Sequence, residues 1–111
     1  MTDPEQSRDT VPVIELARFH VAEGSEERLL AERPSMVEAL RQRFPGCVAA
    51  YLTREDDGGW LDVLVWRTRA EAETAARDAA SVPECAAWFR HITESGGLRH
   101  TEIRSAWPAL A

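Results

Sequence analysis

Lysine is absent: all 13 basic residues are arginine, set against 19 acidic ones in a chain of 111 residues. The arginine-only usage is ascribed to the base composition of the source genome, but the charge balance has physical meaning. A formal net charge of −6 and a pI near 5.0 oppose binding to nucleic acid or to an anionic membrane surface. Cysteine is nearly absent too. Cys47 and Cys85 form no close-spaced metal or redox motif and no disulfide framework, so they are read as buried thiols acting as small hydrophobes. No apolar run approaches the roughly 18 residues needed to span a bilayer. Met1 to Thr10 are polar and acidic, without a basic stretch followed by an apolar core, so they do not read as a secretory signal and are expected to be a disordered leader on a cytoplasmic chain. A glycine-rich phosphate loop, an HExxH pair, clustered metal ligands and a nucleophile elbow are all missing. No nucleotide, flavin or metal is expected, and the partner is expected to be a small molecule or another copy of the chain.

The 44% hydrophobic and 29% charged residues are ordinary for a folded domain. A chain this short buries only about two-thirds of its unfolded surface, so a partner subunit would help it. The most telling stretch is Trp60-Leu61-Asp62-Val63-Leu64-Val65-Trp66-Arg67. Side chains alternate along a strand, which puts Asp62 on one face with Trp60, Leu64 and Trp66 and leaves Leu61, Val63 and Val65 on the other. Both faces must be covered, and Asp62 becomes a lone carboxylate in a hydrophobic wall. Such a group costs several kcal/mol, on the order of other buried polar atoms, unless it is hydrogen-bonded, neutralised or used by a ligand.

Pro12 to Val21 reads as a first strand, apolar on both faces: Val13, Glu15, Ala17, Phe19 and Val21 on one, Ile14, Leu16, Arg18 and His20 on the other. A helix opens at Gly24-Ser25 and is expected to break at Pro34, where the capping box Ser35-Met36-Val37-Glu38 starts a second piece carrying Met36, Val37, Leu40 and Phe44. Cys47 to Thr53 is a strand joined to the Trp60 strand through the hairpin signal Glu55-Asp56-Asp57-Gly58-Gly59. Two further capping boxes, Thr68-Arg69-Ala70-Glu71 and Ser81-Val82-Pro83-Glu84, each predict a helix. The first is alanine-rich. The second turns Cys85, Trp88, Phe89 and Ile92 inward and is expected to stop at Gly96-Gly97. Leu98 to Ser105 is the last strand. The domain spans 11–105, between a leader over 1–10 and a tail over 106–111 with Trp107 and Pro108.

The order strand, helix, strand, strand, helix, strand predicts a ferredoxin-like α+β fold, βαββαβ, with an antiparallel four-stranded sheet and helices on one face. Helices cover one side only, whereas two strands look apolar on both. A second copy packed sheet against sheet resolves the conflict, and a homodimer is expected.

Four features carry a family resemblance: Arg18-Phe19-His20-Val21 ending the first strand, Phe44-Pro45-Gly46-Cys47 entering the second, Trp66 near the end of the third, and Ser81-Val82-Pro83-Glu84 with Trp88-Phe89. Over roughly Val11 to Arg104 the chain resembles the antibiotic biosynthesis monooxygenase group of dimeric α+β barrel proteins. One branch of that group uses no cofactor to convert aromatic polyketide phenols or anthrones to quinones. There an Asn and a Trp four residues apart on the third strand help to form the pocket. The resemblance places Asp62 and Trp66 at those positions, with Asp replacing Asn, and Ala72 where that branch has a tyrosine. The haem-degrading branch has a proximal histidine on the following helix; Arg69 to Ala80 contains none, which disfavours haem.

Each candidate has a functional and a structural reading. Asp62 is either a desolvated base toward a phenol or activated carbon acid, or a carboxylate tied to a backbone amide or to an arginine such as Arg18. Trp66 either fills the interior or stacks on an aromatic substrate and donates its indole N–H to a carbonyl. His20 is a rim imidazole or a second acid or base, and His91 flanks the apolar stripe beside Trp88 with the same alternatives. His100 is expected on the dimer face or exposed. Phe19, Trp60, Leu64, Trp88 and Phe89 would form the wall for a small hydrophobic aromatic substrate.

Three functions remain open. The resemblance and the Asp62 wall favour a cofactor-independent monooxygenase of secondary metabolism. The same pocket would serve a cyclase, dehydratase or isomerase that moves protons without oxygen. A non-catalytic ligand-binding accessory protein is the third.

Overall fold

The computed structural model describes residues 10–110; of the expected leader, all but Thr10 lies outside the described residues. Strand β1 (Val13–Val21) is followed by helix α1 (Glu26–Arg43), strands β2 (Cys47–Arg54) and β3 (Trp60–Trp66), helix α2 (Arg69–Asp78), a single 3₁₀ turn (Ala79–Ser81), helix α3 (Pro83–Phe89) and strand β4 (Ile92–Glu102). The strands form one antiparallel sheet in the order β2-β3-β1-β4. This is the ferredoxin-like α+β arrangement, with the helices on one face. No helix among the described residues is long and apolar enough to cross a membrane.

Pro34 does not break the first helix. α1 runs unbroken for 18 residues, so Ser35 lies inside it and caps nothing. Proline in a helix interior removes one hydrogen bond and crowds the preceding turn, at a cost of roughly 3 kcal/mol. What outweighs that cost is the buried face: Leu29, Arg33, Met36 and Leu40 keep helical spacing straight through the proline, which itself faces solvent. Glu26 and Glu27 in the first turn and Arg41 and Arg43 in the last also suit the helix dipole.

Two other boundaries differ from expectation. Thr68 caps α2 by accepting from the Glu71 amide at 3.1 Å, as the capping box predicts. Ser81, however, belongs to the 3₁₀ turn, where its hydroxyl donates to the Asp78 carbonyl, and Val82 takes the cap position of α3 without a side-chain bond. Moreover α3 ends at Phe89, not at the glycine pair, and β4 begins ten residues before Glu102. Gly96 and Gly97 sit within β4 at a register shift opposite Arg18, where Ala17 pairs Leu98 and Phe19 pairs Ser95. The pair builds a β-bulge, two residues facing one. Gly97 has φ +105°, and a Cβ at Gly96 would lie 3.0 Å from that of Arg18. Glycine is used here for a bulge rather than for a helix stop.

The core lies between the helices and the inner sheet face, around Val13, Phe19, Leu29, Leu64, Trp66 and Trp88. The outer face carries Ile14, Leu16, Leu61 and Val63, all half-buried, with Tyr51 at 60% exposure. Pro34→Ala should restore the missing amide without disturbing the buried stripe. The expected outcome is a gain of about 1–3 kcal/mol in unfolding free energy, read by chemical denaturation; a loss would mean that α1 depends on the proline.

Candidate functional site

The inner sheet face brings side chains from three strands together. In the β1–β3 register Glu15 is opposite Leu64 and Ala17 is opposite Asp62; in the β1–β4 register Glu15 is opposite His100 and Ala17 opposite Leu98. Two carboxylates, Glu15 and Asp62, are therefore diagonal neighbours beneath the helices. Both are buried, at 8% exposure each.

Asp62 is not a lone carboxylate. Arg33 on α1 grips it with two parallel bonds, Nη1 to Oδ2 at 2.8 Å and Nη2 to Oδ1 at 2.6 Å. The partner suggested by the sequence, Arg18, instead pairs with Glu55 at 3.0 Å on the other side of the sheet. Each oxygen of Asp62 thus already accepts a charge-assisted bond. The Arg33 guanidinium also lies 5.0 Å from the ring centre of Trp88, whose indole donates to the Leu29 carbonyl at 2.8 Å and whose ring stands T-shaped to that of Phe19, 5.8 Å between centres.

Glu15 differs. Its Oε1 lies 3.0 Å from His100 Nε2. Burial pushes the Glu15 carboxyl above its ordinary range; the His100 hydrogen bond and charge pull it back, and the nearby Asp62 charge adds to the rise. His100 was expected at an exposed position or on the dimer face, yet it lies on the helix side with its side chain 10% exposed. The bulge at Gly96-Gly97 sets that register.

These groups border a cavity of about 170 Å³ between sheet and helices. Phe19, Leu64, Trp66, Trp88 and Phe89 line it, with Glu15 and Asp62 as its two ionisable walls and Ala75, Ala76, Ala79 and Ala80 as a roof of small side chains. Phe89 and Leu98, 38% and 50% exposed, mark its mouth. Trp66 is 1% exposed, and its Nε1 finds no hydrogen-bond partner among the described residues. A buried indole donor usually has one; the Trp60 Nε1 is likewise buried without a partner among the described residues, and of the two only Trp66 belongs to the cavity lining.

The remaining candidates lie elsewhere. Trp60 is buried but outside the cavity lining, with the Arg54 guanidinium 4.6 Å from its ring centre. His20 is exposed beside Gly59 of the β2–β3 hairpin. His91, just after α3, bonds Glu32 at 3.1 Å and does not line the cavity. Sequence reasoning missed Arg33, Glu15 and His100. Glu15 carried the same signal as Asp62, a carboxylate on an otherwise apolar strand face.

An α+β protein with a small apolar cavity between sheet and helices, holding two buried carboxylates and an unpaired indole donor, is the class that fold and site define. The chain belongs to the antibiotic biosynthesis monooxygenase family, whose family model matches residues 12–90. Among solved structures it is similar to SnoaB, a cofactor-independent oxygenase from Streptomyces nogalater, at 22% identity over 89% of this chain and 99% of that one, with a TM-score of 0.66. Rv0793 from Mycobacterium tuberculosis is 17% identical over 86% of this chain and 98% of that one, TM-score 0.61. MupZ from Pseudomonas fluorescens is 13% identical over 85% and 74%, TM-score 0.66. No curated protein sequence matches.

The buried ion pair makes its own prediction. Arg33→Ala would strand the Asp62 charge and should cost about 3–5 kcal/mol in chemical denaturation, whereas Arg33→Met with Asp62→Leu should cost far less or nothing. Equal losses in both would show that packing, not charge, holds the two elements together.

Proposed function

We propose that this protein is a cofactor-independent monooxygenase of the cytoplasm that oxidises a small aromatic compound of the polyketide or related secondary-metabolite class. The observation that carries this reading is the unpartnered Trp66 indole in the wall of an aromatic-lined cavity, in a chain of the monooxygenase family. A carbonyl or phenolic oxygen of the substrate would accept that N–H, while Phe19, Trp88 and Phe89 would pack against its rings.

For an anthrone-like substrate the balance closes with dioxygen as oxidant. A carboxylate takes the acidic C–H proton; the resulting enolate passes an electron to dioxygen, and recombination forms a C–O bond. Loss of water then breaks the O–O bond and leaves a quinone carbonyl. One oxygen atom enters the product and the other leaves as water, so no external reductant is needed. The protein's task is to make the anion and hold it dry and oriented. A cavity of about 170 Å³ is small for a tricycle, since ligand pockets commonly reach roughly 300 Å³ or more, and widening falls to the exposed Phe89 and Leu98 side chains at the mouth.

The same reading includes a homodimer. Ile14, Leu16, Leu61 and Val63 make a half-buried apolar patch on the sheet face without helices, which a second copy would cover. Sedimentation should give a dimer for the native chain and a monomer for Val63→Arg; a monomeric native chain refutes the pairing.

Oxygen uptake and quinone absorbance, measured on metal-free protein given an anthrone, test the activity. The native chain should form quinone only in oxygen, and Trp66→Phe should lower kcat/KM roughly tenfold, the worth of one hydrogen bond. Turnover of the compound under strict anaerobiosis would instead favour a cyclase, dehydratase or isomerase. Binding without turnover would favour an accessory protein.

A further inference from the structure

Two carboxylates face the cavity, but they are not equivalent, and the difference assigns the proton chemistry. Asp62 has both oxygens engaged by Arg33 at 2.8 and 2.6 Å. Glu15 has Oε1 engaged by His100 at 3.0 Å, and no guanidinium bonds it among the described residues. We propose that Glu15, positioned by His100, is the catalytic base that takes the substrate proton, and that Asp62 serves with Arg33 as a fixed structural pair beside it. The inference rests on the cavity being the reaction site, as in the function proposed above.

The proton inventory is simple. The Glu15 carboxylate accepts the proton of the carbon acid, the bonding pair stays on the substrate as the enolate, and after oxygen addition Glu15 gives that proton to the peroxide oxygen, which leaves as water with the second hydrogen of the same carbon. His100 touches Glu15 and does not line the cavity, so it is a positioning residue. It fixes one carboxylate oxygen and so orients the group.

The groups that face Glu15 are few. His100 comes from β4 and Asp62 from β3, with Arg33 of α1 behind Asp62; Cys47 of β2 lies within electrostatic range. The α2 and α3 segments turn only alanines and the rings of Trp88 and Phe89 to this cavity. A carboxyl raised by burial in such surroundings holds a proton closer to neutral pH than a solvated one, which suits a general base. The two polar neighbours act on it in opposite directions: His100 lowers it and Asp62 raises it.

The test measures proton abstraction separately from oxygen chemistry. The full chain is incubated with anthrone in D₂O without oxygen, and loss of the acidic C–H signal is followed by NMR across pH; quinone formation is then measured in air. The native chain should exchange faster than buffer, with a rate that rises with pH as Glu15 ionises. Glu15→Gln should lose about 100-fold or more of exchange and of quinone formation, with Glu15→Asp recovering part of it. His100→Gln keeps a hydrogen-bond donor but removes the lowering charge of the imidazole, so its acid limb should move to higher pH. Asp62→Asn removes the raising charge, so its limb should move to lower pH. Opposite shifts from two buried neighbours are not what simple loosening of the fold would give, and melting curves identify any variant that fails to fold. Exchange that survives in folded Glu15→Gln, or limbs of His100→Gln and Asp62→Asn that move the same way, would overturn the assignment. Exchange without quinone would leave Glu15 as the base and refute the oxygenase reading. No exchange above buffer by the native chain would refute both.

Discussion

Arg33 and Asp62 are two charges held out of water, and the helix side of the sheet is organised around keeping them paired. The guanidinium comes from the middle of α1 and the carboxylate from the middle of β3, so the pair fixes how far along the sheet the helix can slide. Its geometry is bidentate, which a lysine could not reproduce. The Trp88 ring lies against the same guanidinium and its indole bonds the first turn of α1, so α3 is tied to the ion pair as well. Buried pairs of this kind add little net stability compared with a well-packed apolar core; what they supply is a penalty for every arrangement that separates them. The cavity lies beside this pair, with Asp62 in its lining.

Much of the fold was legible because the strands carry strong period-two patterns and the β2–β3 hairpin has an unmistakable turn. The misses share a cause: local signals were given weight that tertiary burial overrode. Pro34 looked like a helix end, and dividing α1 there hid the fact that Leu29, Arg33, Met36 and Leu40 share one face. With the helix whole, an arginine in that stripe asks for a buried acid, and Asp62 is the evident partner. Gly96-Gly97 carries the signature of a helix stop, but the same glycines also permit a bulge, and only the pairing of β4 with β1 decides between them. His100 falls inside the last strand in either reading, and only its pairing with Glu15 puts it on the buried face. Glu15 was visible on its strand and passed over because attention went to the carboxylate flanked by tryptophans.

Two chemically identical groups on one sheet face have been given different environments. One is neutralised by a permanent cation; the other is left with an imidazole, in a wall where burial disfavours its charge. Separation of this kind is how a fold assigns different work to like residues. The acid at position 62 fits the same logic. A buried acid there needs a cation, so Asp62 and Arg33 form a single unit.

The thiols carry a consequence of a different kind. Cys47 and Cys85 are 1% and 0% exposed, and burial pushes both thiols up, away from the reactive thiolate. The chain has no lysine to add a second family of nucleophiles. Quinones are electrophiles that alkylate amines and thiolates, and a catalyst that releases them is exposed to its own product at every turnover. Whatever the origin of its arginine-only composition, this surface presents neither a side-chain amine nor an accessible sulfur among the described residues. If the proposed reaction releases a quinone, alkylation among the described residues is left to imidazoles such as the exposed His20.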